Sequence, residues 1–123
     1  MPAPETLERF IALIEANAHV EAVEQFYTAD ASMQENQAPP REGGRAALMA
    51  REASVLDRSE SVVTELLGGP LVSGDQVAIR WRFSFVFKNG STMRMEEVAW
   101  QTWRGEKIAE ETFFYDPAQR QAR

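Results

Sequence analysis

The feature that most constrains this chain is a run of strict alternation that turns back on itself. From Val77 to Lys88, every second position is bulky and apolar: Val77, Ile79, Trp81, Phe83, Phe85 and Phe87. That is the period of a strand with one buried face. Asn89-Gly90 follows, a pair that takes the backbone angles a tight hairpin needs. Thr92–Arg104 alternates again as the partner strand, with Met93, Met95, Glu97, Ala99 and Gln101 in one phase. Arg104-Gly105-Glu106 turns the chain once more, and Lys107–Tyr115 is expected as a last strand. Upstream, Glu60–Leu67 is expected as a strand closed by Gly68-Gly69-Pro70, since glycine and proline together punctuate regular structure. So long an antiparallel meander needs a cover over its apolar face.

The first half of the chain supplies that cover. Leu7, Phe10, Ile11 and Ile14 form the stripe of an amphipathic helix, opened by Pro4, which loses no helical hydrogen bond there. After a break near Asn17 a second short helix carries Val20, Val23, Phe26 and Tyr27. Asp30–Glu35 is extended in character, and Gln37–Gly44, with two prolines and two glycines, is a loop. A third helix follows, on which Ala46, Met49, Ala50, Ala53 and Leu56 share a face. Three helices and then a meander make an α+β fold, with the helices packed on one face of a curved antiparallel sheet. At 123 residues the chain makes one domain, 1–123, with flexible ends expected near 1–4 and 117–123.

Composition narrows the function. Thirteen basic against nineteen acidic residues give a net charge of −6, which argues against a nucleic-acid backbone binder. No run reaches the roughly 18 apolar residues of a membrane span. There is no cysteine, so thiol chemistry and disulfides are excluded and a cytoplasmic location is expected. No glycine-rich phosphate loop and no ligand cluster appear, so neither cofactor nor metal is expected; an all-carboxylate site from Glu35, Glu97 and Glu111 has no spacing to favour it.

Two stretches resemble a known family. Phe26-Tyr27-Thr28-Ala29-Asp30-Ala31, followed by Gly44-Arg45-Ala46-Ala47-Leu48, is similar to the opening and the later helix start of SnoaL-like proteins. Trp103-Arg104-Gly105-Glu106-Lys107-Ile108 and then Phe114-Tyr115-Asp116 resembles their last hairpin and closing strand. The chain is thereby identified with the nuclear transport factor 2-like superfamily, in its SnoaL-like polyketide cyclase and ketosteroid isomerase-like branches. The resemblance implies a cone-shaped α+β barrel of cystatin-like type, three helices closing one face around an apolar pocket. The superfamily hosts many functions, so it implies no particular reaction.

Three acids are candidates for chemistry in such a pocket. Glu35 stands where the isomerases resembled here place a general base, and that role calls for a carboxylate raised in pKa by partial burial. Glu111 is expected to point inward with Ala109, Phe113 and Tyr115; Glu110 is the alternative if the register slips by one, and an ion pair with Arg80 or Arg82 is the structural alternative. Glu97 shares its strand face with Gln101. Ala99 falls where the isomerases keep a protonated acid, and the first helix offers Phe10 and Ile14 in place of a tyrosine, so the resemblance does not extend to steroid isomerisation. The expected walls are Met33, Trp81, Phe83, Phe85, Met95, Gln101, Phe113, Tyr115, Tyr27, Phe10 and Ile14, with ordinary core as the alternative for the aromatic stripe. His19, the only histidine, is expected at the surface.

On the opposite sheet face Val98, Trp100, Ile108 and Phe114 lie among Arg80, Arg82, Arg94 and Glu96. Apolar area of that kind calls for a partner, expected to be a second copy, through Arg80, Arg82, Val98, Trp100 and Phe114. Three functions are open: cofactor-independent acid/base isomerisation, cyclisation or dehydration of a small hydrophobic carbonyl compound; non-catalytic binding of such a molecule; or a dimerisation scaffold with a filled core.

Overall fold

The computed structural model describes residues 1–121. Its order is α1 (Pro4–Glu15), α2 (His19–Phe26), β1 (Tyr27–Glu35), α3 (Gly44–Arg58), β2 (Ser59–Ser73), β3 (Gln76–Phe87), β4 (Thr92–Arg104), β5 (Lys107–Phe114) and a 3-10 turn η1 (Pro117–Arg120). The strands form one sheet in the order β1-β5-β4-β3-β2. It is an α+β fold in which the curved sheet stays unclosed, so the barrel that the resemblance implied is an open one. The pairs from β2 to β5 are antiparallel, whereas β1 joins β5 in parallel. A strand from the helical half thus completes the meander, because the loop after it leads into a helix and not into a hairpin.

The expected phases hold along the central hairpin. Val77, Ile79 and Trp81 of β3 and Met95, Ala99 and Gln101 of β4 are buried on the helix-covered face, where they meet Leu7, Phe10 and Ile11 of α1 and Val23 and Phe26 of α2. Asn17 breaks the first two helices apart with φ of 63°, a conformation asparagine tolerates better than most residues.

Four expectations need correction. β2 does not end at Gly68-Gly69-Pro70 but continues to Ser73, its register shifting around Gly68. Gly69 has φ of +91° and lies so close to Ala78 that an added Cβ would stand 2.7 Å from its carbonyl oxygen, so the punctuation marks an irregularity inside the strand. On α3 the inward side is Leu48, Arg51, Glu52 and Val55, and Met49 also packs against the core as expected, while Ala46 and Ala50 are exposed; alanines on both sides gave the helix no clear apolar stripe. Ile108 is completely buried and belongs to the core. The register shifts between Thr102/Glu110 and Trp103/Ile108, so the extra residue Ala109 lets Ile108 and Glu111 both face inward.

The fourth correction concerns the ends. The amino terminus reaches Asp75, and the Ala3 N–H donates to Glu106 Oε1 and Oε2 at 2.9 Å. Past the end of β5, the Gln119 side chain takes over its hydrogen bonding to β4: its Oε1 accepts from the Glu96 N–H at 2.9 Å and its Nε2 donates to the Glu96 carbonyl at 3.0 Å. Asp116 caps the turn by accepting from the Ala118 N–H at 3.0 Å. The stretch 117–121, expected to be loose, is therefore tied to the sheet; Ala122 and Arg123 lie outside the described residues.

Candidate active site

Between helices and sheet lies a cavity of about 130 Å³, close to the roughly 150 Å³ of an apolar cavity known to admit benzene. Its apolar wall is formed by Phe10, Ile14, Val23, Met33, Trp81, Phe83, Phe85, Met93, Met95 and Phe113. The aromatic stripe is thus both core and wall, with Phe83 and Phe85 stacked at 6.4 Å. Tyr27 also lines the cavity, but two expected wall residues do not. Gln101 is fully buried behind Glu111, and Tyr115 lies outside with its hydroxyl 3.5 Å from Arg120 Nη1.

All three nominated acids border this space, joined by Glu52 of α3. Glu111 is 3% exposed and is held by a relay. Trp103 Nε1 donates to Gln101 Oε1 at 2.9 Å, Gln101 Nε2 donates to Glu111 Oε2 at 2.7 Å, and the Tyr27 hydroxyl donates to Glu111 Oε1. Burial drives its carboxyl up to about 7, although the Tyr27 and Gln101 hydrogen bonds pull the other way. Burial and the adjacent Glu111 carboxylate keep the Tyr27 phenol protonated, well above its usual range. Among the described residues Glu97 has no such donors; burial first, then repulsion from Glu111, Glu52 and Glu35, lifts it to about 8 against the pull of Arg120. Glu52 is raised as well, chiefly by burial. The alternative ion pair for Glu111 does not form, since Arg80 and Arg82 engage Glu96 and Glu65 on the far side of the sheet, and Glu110 is exposed.

Glu35 corrects the expectation of a raised pKa. Burial alone would lift it, but Arg51, Arg120 and Arg41 outweigh that effect and hold it below the ordinary carboxylate value. Arg41 Nη2 lies 2.8 Å from Oε2, while Arg51 Nη2 at 3.2 Å and Arg120 Nη1 at 2.6 Å share Oε1. Arg41 is brought there by its backbone N–H, which donates to the Met33 carbonyl at 2.8 Å. Arg51 depends on the start of α3 lying against β1, where a Cβ on Gly44 (φ +66°) would stand 2.5 Å from the Ala29 carbonyl oxygen.

His19 is buried, not at the surface. Its ring meets Phe83 edge-on at 5.6 Å, and its Nε2 lies 3.2 Å from Thr64 Oγ1. Because Thr64 donates to Asn17 Oδ1 at 2.7 Å, its oxygen accepts from Nε2–H; burial lowers the pKa of the ring, against the hydrogen bond to the Ile14 backbone and the nearby Glu21, which raise it. His19, Val23, Arg51, Glu52, Val55 and Arg120 are the site residues that sequence reasoning missed. Leu48, Glu52 and Val55, at i, i+4 and i+7, are the one sequence signal for the α3 members. Among the described residues, no group of three or more metal-ligating side chains converges on one point.

The profile of the SnoaL-like domain matches residues 7–111. The chain belongs to this family. Solved structures agree with that placement. A protein from Mesorhizobium loti described as a SnoaL-like polyketide cyclase is 27% identical with a TM-score of 0.76, the match covering 94% of this chain and all of that one. A cystatin-fold protein from Novosphingobium aromaticivorans is 21% identical at 0.76, covering 92% and 97%. A ketosteroid isomerase-like protein from Catenulispora acidiphila, solved with trimethylamine, is 18% identical at 0.75, covering 95% and 89%. No curated protein matches the chain. No helix among the described residues of this SnoaL-like chain is long and apolar enough to cross a membrane.

Proposed function

We propose that this SnoaL-like protein binds a small, largely apolar carbonyl compound in the cavity and moves a proton on it without a cofactor. One observation carries the reading: two carboxyls on one apolar cavity, with pKa values of about 8 and about 7. Acids whose values are tuned towards working pH are what general acid–base chemistry requires. Glu97, protonated at neutral pH, donates to the carbonyl oxygen. Glu111, held by Tyr27 and Gln101, takes the proton from the adjacent carbon when ionised. Glu35, first nominated as the base, is kept anionic by its arginines and shapes the field at the mouth. The outcome would be isomerisation, cyclisation or dehydration according to the ligand.

The test is proton–deuterium exchange next to the carbonyl of one-ring ketones in D2O, followed by NMR. Exchange should be abolished in Glu111→Gln with binding kept, and slowed by about 10²–10⁴ in Glu97→Gln. Ketone binding without exchange in the unaltered protein would replace this reading by the non-catalytic one. The Catenulispora neighbour, solved with trimethylamine, lends that second reading its support, since such an amine has no carbonyl to activate. We place the protein in the cytoplasm on its lack of cysteine. We also propose that it pairs with a second copy through the back of the sheet, where Trp100 and Phe114 are 43% and 42% exposed beside Val98, Arg80 and Arg82.

A further inference from the structure

The mouth of the cavity carries more fixed positive charge than its own anion balances. Three guanidiniums converge on Glu35, and two of them, Arg51 and Arg120, also line the cavity. One carboxylate is matched by one guanidinium fork, so three leave an excess of two positive charges. Arg51 and Arg120 crowd the same oxygen, Oε1, and therefore repel each other. Each guanidinium has five N–H donors, most of them left over for another acceptor. The deeper acids offset this excess only in part: Glu52 feels the charge of Arg51 and Arg41, and Glu97 that of Arg120, but burial holds Glu52, Glu97 and Glu111 towards their neutral forms, and among the described residues no ion pair joins them to an arginine.

We infer that Arg51 and Arg120 form an anion subsite, so that the ligand is a one-ring apolar molecule bearing a carboxylate at the end nearest the mouth. This rests on the cavity being a ligand site, as proposed above. The ring packs against Trp81, Phe83 and Phe85, and the carboxylate lies beside Glu35 between the two arginines. A cavity of about 130 Å³ accepts one ring of this kind, by the benzene comparison. The surplus donors turn towards the new oxygens, and the like-charge repulsion between Arg51 and Arg120 is relieved. Glu35 keeps the two guanidiniums in place when the site is empty and competes with the ligand for them when it is full.

Three probes of nearly one shape separate the possibilities: benzoate, benzamide and benzylamine, measured by calorimetry at pH 6.5. Benzoate should bind roughly tenfold more tightly than benzamide, the gain from charge-assisted hydrogen bonds to half-buried arginines, and benzylamine should bind most weakly. Arg120→Gln should erase most of the benzoate advantage over benzamide. Arg51→Gln should do the same, and Glu35→Gln should strengthen benzoate. Equal binding of benzoate and benzamide, or a preference for benzylamine, would overturn the anion subsite while the cavity remains a ligand site. Binding of none of the three would overturn both.

Discussion

Glu111→Gln tests the central electrostatic claim in the folded protein without any ligand. The amide copies the protonated carboxyl: its oxygen can accept from Gln101 Nε2, and its NH2 can donate to the Tyr27 oxygen. In the unaltered protein Glu111 ionises at about 7, against an ordinary 4.5 in the unfolded chain. Between those values the unfolded state gives up its proton and the native state keeps it, so each pH unit costs the fold about 1.36 kcal/mol. The stabilisation is complete below about pH 4.5 and gone above about pH 7, a total of about 3 kcal/mol over that window. Glutamine does not titrate. The variant should therefore match the unaltered protein at pH 4 and exceed it by up to about 3 kcal/mol at pH 8. Relief of repulsion on Glu97 acts in the same direction. Urea unfolding at a series of pH values reads the difference directly. Stability curves for the two proteins that run parallel from pH 4 to pH 8 would refute the reasoning, because they would mean that Glu111 is as easily ionised inside as outside.

Trp103→Phe removes the donor to Gln101 Oε1 and leaves a buried acceptor unmet, an expected loss of about 1–3 kcal/mol by urea unfolding. Adding Gln101→Met should cost less than the sum of the two single changes; strict additivity would show that the relay to Glu111 is not one unit. Sedimentation equilibrium should find the unaltered protein at twice its 13.9 kDa chain mass and Trp100→Arg or Phe114→Arg at the chain mass. A monomeric unaltered protein would remove the back-of-sheet pairing.

How much of this was legible in the sequence depends on where periodicity speaks. The β3–β4 hairpin carries large residues on alternate positions, so its inward face, including Glu97, could be read by counting. Glu111 was reached by the same count, but Ile108 was not, since a bulge at Ala109 changes the phase without changing the composition. On α3 the apolar residues are small and scattered, so the face bearing Arg51 and Glu52 had no contrast against the other. Arg120 had no periodic signal at all; its position follows from a side-chain clasp that is visible only in three dimensions. Glu35 lines the cavity, yet its charge state depends on three arginines from a loop, a helix and the terminal turn, a convergence that spacing does not encode. His19 was misplaced because a lone polar residue near a helix start usually faces water, while here Thr64 and Asn17 satisfy it inside.

The Gln119 clasp has a practical consequence for handling the protein. Its amide stands in for a missing stretch of strand at Glu96, the neighbour of Glu97, and the next residue is Arg120 at the cavity mouth. Peptide appended to, or trimmed from, the carboxyl end therefore acts at the doorway of the cavity and next to its acid. The amino end lies by the turns at the other end of the long hairpin, where the Ala3 N–H bonds to Glu106 survive an added peptide, and is the safer place for a purification handle or a fusion partner.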